Sequence, residues 1–265
     1  MTSILAQSRP PEPFDAPGLE LFRPPCLSEW DLFGVHFCVD RGVLYMFLAA
    51  GIVIVLFVLA ASRGGLVPRG VRNLVESVVD FIREEIAIQV IGQEGRPWVP
   101  FLTSMFCFIL VGNIFGIIPG IQFPVNGRIA LPAFMALLVW VLFNLAGIRA
   151  QGAAYFTNAL FPPGVPKAMY LLLTPIEFVS TFLLRPFTLA VRLLANMMAG
   201  HLILSIFFLG TAYLLAKPST IPFAIPAFAL SVALIGFEIL VAVLQAYIFT
   251  ILTAVYLAGA VHPEH

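Results

Sequence analysis

Two apolar stretches, residues 175–216 and 221–261, each about 40 residues long, dominate the C-terminal half of the chain. A straight helix of that length runs about 60 Å at 1.5 Å per residue, roughly twice the ~30 Å of bilayer hydrocarbon. The only polar break between them is Lys217-Pro218-Ser219-Thr220. Neither stretch contains a loop that would let the chain turn inside lipid, where unpaired backbone groups are costly. The chain therefore predicts two long helices forming one hairpin. The tilt needed to keep them in the membrane exceeds the usual range of up to about 40°, so something packed alongside must impose it.

The rest of the chain fits the same solvent. Residues 43–62 form a first span, ended by Arg63, Gly64, Gly65 and Pro68. Residues 98–119 and 129–148 form a second and a third, separated by the turn signals Pro119-Gly120 and Asn126-Gly127. Only 11% of the 265 residues are charged and 60% are hydrophobic, whereas a soluble domain carries about 25% charged residues. This excludes a soluble enzyme, a disordered chain and a coiled coil. The expected class is an all-α multi-pass membrane protein with about five transmembrane helices and a long tilted C-terminal hairpin. A net charge of zero argues against a nucleic-acid partner. The cysteine and histidine spacing matches no metal motif, and nothing points to a cofactor.

Residues 71–91 read differently. Val71, Leu74, Val75, Val78, Val79, Ile82, Ile86 and Val90 fall on one helical stripe, and Arg72, Glu76, Asp80, Arg83 and Glu84 lie opposite. This is an amphipathic surface helix, resting either on the membrane or on its own protein. Residues 149–168 read as a polar connector. Residues 1–42 are polar and proline-rich, an extracytoplasmic segment before a membrane domain over 43–265. Arg63, Arg69, Arg72, Arg83, Arg96, Arg149 and Lys167 fall on one side, and Arg9, Arg23, Arg41, Arg128 and Lys217 on the other. The positive-inside rule makes the first group cytoplasmic, the N-terminus outside and the C-terminus inside. Cys26 and Cys38 then both lie outside, as a pair or as free thiols. Cys107 is an apolar filler within a span.

The informative residues are ionisable groups inside the hairpin: Arg185, Arg192, His201 and Glu238, with Glu177 at its cytoplasmic mouth. An arginine near the bilayer centre costs about 2.5–3.5 kcal/mol or more and cannot escape by losing its proton. Arg192 must therefore face protein or water, in a functional path or in a structural ion pair. At about 100° per residue, Arg185, Thr188, Arg192, Asn196 and Ala199 share a stripe, and His201 points the opposite way. Glu238 and Gln245 share a face of the second helix, with Tyr256 near it. Imidazole and carboxylate are the usual proton carriers, so His201 and Glu238 supply a proton-exchanging pair if the helices pack in register. The bland alternatives are a core histidine and a hydrogen-bonded buried acid. Ala190, Ala195, Ala199 and Gly200 around Arg192 permit close helix approach. Asn113 and Asn144 read as interhelical hydrogen-bonding groups.

Three stretches carry a resemblance. LRPFTLAVRLLANMMAGHLI over 184–203 looks like the signature of subunit a of the F-type ATP synthases. GFEILVAVLQAYIFTILTAVY over 236–256 resembles that family's last helix, and NIFGIIP over 113–119 its second-span ending. The resemblance covers roughly residues 70–261. It implies a bacterial plasma-membrane stator lying against a rotating ring of hairpin subunits (the c-ring), each with one essential carboxylate. The peripheral-stalk b subunits and the rest of the ATP synthase complex are the other implied partners. It implies no catalysis by this chain alone. By resemblance Arg192 faces the ring, Asn196 sits one turn on, and Gln245 packs near the arginine. Many relatives carry Glu where this chain has His201 and His where it has Glu238; the swap keeps one acid and one imidazole, so a water-filled half-channel between them still follows. Arg185 either serves the exit path or snorkels to the interface, the second being favoured. A rival class, a secondary transporter binding an anionic substrate at Arg192, predicts inverted repeats and broken helices; neither is visible. An intramembrane enzyme would need a complete nucleophile–base or metal set, and this chain has half a site.

Overall fold

The computed structural model describes residues 17–18, 22, 26–32, 35–62, 70–118, 123, 125–152, 154–161, 169–216 and 218–262. Arg9, Arg23, Arg63, Arg69, Lys167 and Lys217, the Gly64-Gly65 and Pro68 stop signals and the Pro119-Gly120 turn lie outside the described residues.

Five helical stretches are long and apolar enough to cross a membrane: Arg41–Ser62, Gln93–Ile114, Ala130–Gln151, Tyr170–Leu215 and Pro218–Val261. The first is α1 (Arg41–Ser62), started by Asp40, whose Oδ1 accepts from the Val43 backbone N–H at 3.0 Å as an N-cap. Asp40 is buried and also pairs with Arg128 from the segment before the third span. Apart from Ala49 and Val53, α1 presents few buried side chains.

The amphipathic segment is α2 (Val71–Phe81), continued without a break by a wider π-wound stretch, Ile82–Ile91. On α2 the apolar stripe buries only Val75, and beyond it the buried positions shift. Ile82, Ile86, Ala87 and Ile91 are buried, and Val90 is only partly so, because a π turn holds more residues than an α turn. The two readings of this helix divide along its length. The π-wound part packs into the core against the last helix. Val71, Leu74 and Phe81 on α2 remain exposed.

The second span is shorter as an α-helix than 98–119. A 3-10 stretch, Gln93–Trp98, leads into α3 (Val99–Ile114), which then loosens into turns through Ile118. The third span, α4 (Ala130–Gln151), overruns the expected polar connector and stops at Gly152, whose φ of 63° is the left-handed conformation glycine tolerates. The connector itself contains a short helix, α5 (Ala154–Leu160). Its Tyr155 ring lies directly on Gly147, where a Cβ would collide with it.

The fourth span begins before Pro175. Helix α6 (Tyr170–Phe178) contains Pro175, a π-wound stretch Val179–Leu184 follows, and α7 (Arg185–Leu215) continues the rod. Pro186 accounts for the wide turns: it has no N–H for the Phe182 carbonyl and its ring crowds that oxygen. A 3-10 turn, Pro218–Thr220, reverses the chain into α8 (Ile221–Val261). At 41 residues α8 is about 62 Å long, so it cannot stand upright in ~30 Å of hydrocarbon. Helices α7 and α8 pack on one another more extensively than any other pair. The core lies where α3, α4, α7, α8 and the π-wound stretch meet, around Ile82, Leu102, Phe143, Leu193 and Leu257. Small buried residues on α8, Ala242, Ala246, Ala254 and Ala260, let the helices approach closely.

The N-terminal segment holds structure the sequence did not signal. Strands β1 (Ser28–Leu32) and β2 (Val35–Val39) form an antiparallel hairpin with Ser28 opposite Val39 and Leu32 opposite Val35. A disulfide joins Cys26 to Cys38, so the free-thiol alternative does not hold. Cys107 is free and half-buried in α3.

Candidate functional site

Arg192 lies in the second turn of α7, on its outward face. Thr188, Ala195 and Ala199 on the same stripe are also exposed, whereas Leu189, Ala190, Leu193 and Met197 turn into the bundle. No carboxylate among the described residues lies within ion-pair distance of the guanidinium. A fixed charge therefore sits partway along a long apolar helical stretch, Tyr170–Leu215, among exposed small side chains and aimed away from its own protein. The structural ion pair considered for it is not present among the described residues.

On the opposite side of α7 the polar groups turn inward. His201 is 5% exposed and Glu238 of α8 is 7% exposed. The close approach occurs at Gly200: a Cβ there would stand 3.1 Å from Glu238 Oε1. The register thus brings Glu238 to the residue beside His201, without a direct hydrogen bond or ion pair between the two side chains. His201 Nδ1 and both carboxylate oxygens of Glu238 are buried without a partner. Buried polar atoms are rarely left so and commonly meet ordered water. The imidazole also interacts with the Gly116 backbone at the loosened end of the second span.

Next to this pair is a cavity of about 10 Å³, lined by Asn113, Leu193, Asn196, Met197, Glu238 and Gln245 among others. That is about the space one water needs. Four of the residues singled out from sequence, Asn113, Asn196, Glu238 and Gln245, therefore meet at one place. Asn196 is half-exposed, at the edge between the outward stripe of Arg192 and the inward cavity. Asn113 donates to the Ala242 carbonyl at 3.2 Å and accepts from Asn126 Nδ2 at 2.7 Å. Asn126 had only a turn signal in the sequence.

Tyr256 does not join this group. It follows Glu238 by five helical turns, so it shares a face but lies about 27 Å further along α8. There it forms a second cluster. The Arg185 guanidinium lies over its ring at 5.3 Å from the centroid, and Phe143 packs at 5.9 Å. Tyr155 donates to Asn144 Oδ1 at 3.2 Å, joining α5 to α4. Burial raises the Tyr155 hydroxyl pKa, and the positive charge of Arg185 partly offsets this. Asn144 also donates to the Trp140 carbonyl at 2.7 Å. Glu177 is half-buried on α6 and does not line the cavity. No three His, Cys, Asp or Glu side chains among the described residues converge as metal ligands.

Phe22 is the contact the sequence did not signal. It is buried, and its ring meets the His201 imidazole edge-on, with centroids 5.8 Å apart at 67°.

Residues 43–258 match the family described as ATP synthase A chain. The chain is 44% identical to the ATP synthase subunit a of Frankia alni, over 96% of this chain and 89% of that protein. It is 45% identical to the subunit a of a Parafrankia species over 94% of this chain and 84% of the relative. For the Rhodococcus erythropolis protein the figure is 40%, over 95% and 92%.

Proposed function

Because the chain belongs to the ATP synthase A chain family, we propose a residue-level account of how it moves protons. It is the proton-translocating membrane subunit of an F-type ATP synthase, part of that complex in a bacterial membrane. The family leaves no support for a secondary transporter with Arg192 as an anion site. The steps fall to side chains that move protons, and the chain performs no catalytic step of its own.

The observation that carries it is the outward Arg192, without an ion-pair partner among the described residues, on its strip of small residues. A charge held at that depth needs an anionic partner from outside the chain. A ring of hairpin subunits with one carboxylate each supplies it. The strip of Ala195 and Ala199 lets the ring helix come close, and the length of α7 and α8 follows the ring's flank. Protons arrive from outside through the half-channel of His201 and Glu238, whose unpartnered atoms and adjoining cavity suit water. Asn196 and Gln245 line its inner end, between Glu238 and the ring-facing stripe. A proton neutralises a ring carboxylate, which can then face lipid at low cost. After most of a revolution the carboxylate meets the opposite half-channel and releases the proton inward. Arg192 stands between the two paths. Its charge repels protons and attracts the ionised ring carboxylate, so passage requires rotation. Each charge crossing 100 mV releases about 2.3 kcal/mol, so several per turn are needed to drive synthesis. Arg185 over Tyr256 anchors the far end of the hairpin.

The orientation has the N-terminus outside and the C-terminus inside. The Cys26–Cys38 disulfide supports it, since disulfides persist in oxidising compartments, as does the arginine distribution. Residues 1–42 then form an outer segment on a membrane domain of 43–265. The peripheral-stalk b subunits are further partners in this account.

Thiol cross-linking tests the ring-facing stripe. Ala199→Cys, paired with a cysteine beside the carboxylate on the ring subunit's outer helix, is expected to give an oxidised adduct of the two chains. The buried Leu204→Cys is expected to give none. Equal yields, or adducts from Leu204→Cys alone, would place the ring elsewhere.

A further inference from the structure

Two features outside the proton path bear on His201, one by contact and one through the chain. The first is the ring of Phe22, 5% exposed and set edge-on to the imidazole. The second is the stapled hairpin four residues downstream of it. The Cys26–Cys38 disulfide closes β1 on β2, β2 leads into Asp40, and Asp40 is held by its pair with Arg128 and by capping α1. Phe22 thus precedes a hairpin that the disulfide closes on itself and that Asp40 joins to the start of α1 and, through Arg128, to the segment before α4.

The groups facing His201 come from three other elements. Helix α8 presents the Glu238 carboxylate beside Gly200. The end of α3 presents the Gly116 backbone. The outer segment presents Phe22. On α7 itself the nearest charge is Arg192, on the opposite face. Among the described residues, the imidazole therefore has an apolar ring against it and an acid packed beside the preceding residue, with Nδ1 left unpartnered. A hydrogen-bonding partner in place of Phe22 would compete with water or Glu238 for that nitrogen. An aromatic ring fixes the imidazole by packing and leaves its nitrogens free to exchange protons.

We infer that Phe22 is a positioning residue for His201, covering the imidazole at the outer end of the half-channel and limiting its exchange with outside water, with the Cys26–Cys38 disulfide holding it in place. The inference rests on the placement of His201 in the proton path.

The test is carbethoxylation of His201 by diethylpyrocarbonate in the assembled complex, in sealed membrane vesicles, followed by mass spectrometry of its peptide. His262, on the C-terminal side of α8, is the internal reference. Phe22→Ala is expected to raise the His201 rate about tenfold, equivalent to about 1.4 kcal/mol of lost local cover, with His262 unchanged. Phe22→Leu and the double variant Cys26→Ser/Cys38→Ser are expected to give smaller rises of about two- to fivefold, and they carry the test if Phe22→Ala fails to assemble. The dependence of ATP-driven pumping on outer pH is expected to shift in Phe22→Ala and to shift less in Phe22→Leu, which keeps an apolar cover; a purely structural contact would not produce this. An unchanged His201 rate in the assembled variants overturns the inference. Faster labelling with no loss of pumping in labelled complexes leaves the cover standing and removes His201 from the path.

Discussion

Gly200 offers a graded perturbation of the proposed half-channel. A Cβ at this position falls 3.1 Å from Glu238 Oε1, 3.5 Å from Cδ and 3.6 Å from Cγ. Only the oxygen is crowded, by about 0.3 Å relative to the 3.4 Å where ordinary contact begins. In Gly200→Ala the carboxylate can yield by rotating off its preferred rotamer, at about 0.5–1.5 kcal/mol. If Glu238 relays protons, that strain enters the barrier and slows pumping about two- to tenfold. Gly200→Val adds two methyl groups to a closed helix contact and costs about 1–3 kcal/mol, a slowing of about 5- to 150-fold. Glu238→Asp withdraws the carboxylate by one methylene. Combined with Gly200→Val, it is expected to recover part of the loss, with a coupling of about 0.5–3 kcal/mol as for residues in contact. The assay is the initial rate of ATP-driven acidification in inverted vesicles, normalised to assembled complex. A native rate in Gly200→Val, or additive losses in the double variant, would refute the contact and the relay together.

Two further outcomes follow from the geometry. Asn126→Ala removes the donor to Asn113 Oδ1 and leaves a buried acceptor unpaired, so thermal unfolding of the complex should show a loss of about 1–3 kcal/mol. Asn126→Asp, which cannot donate when ionised, should be no better. Tyr256→Phe keeps the ring beneath Arg185 and should leave stability and pumping unchanged, whereas Tyr256→Leu should cost about 0.5–2 kcal/mol; equal effects would place the value of Tyr256 in its hydroxyl.

The five spans were legible because their signal is the length of apolar sequence, which the bilayer sets regardless of partners. The last helix is legible to the residue: Lys217-Pro218 precedes Ile221 and His262 follows Val261. Arg192 and Glu238 stood out for a similar reason, a charge where charge is expensive. The π-wound stretches were not legible, since a 3.6-residue period is assumed in reading any stripe, and Val90 was assigned the buried place that Ala87 and Ile91 hold. Tyr256 was grouped with Glu238 because an angular reading of a helix ignores rise. The contact of Glu238 with Gly200 depends on how α7 and α8 rotate against each other, which neither sequence records alone. Phe22 and the hairpin were hidden by distance and composition. The partner of Phe22 is on α7, far along the chain, and the strands lie just after prolines that suggest an irregular tail.

The central claim is that Arg192 couples proton passage to rotation from outside the chain's own bundle. ATP-driven acidification of inverted vesicles, comparing the native chain with Arg192→Ala and quantifying the assembled complex in the same preparation, addresses it directly. The account predicts that acidification disappears while assembly persists, because the outward guanidinium has no ion-pair partner among the described residues. Acidification at the native rate by an assembled Arg192→Ala complex would contradict it.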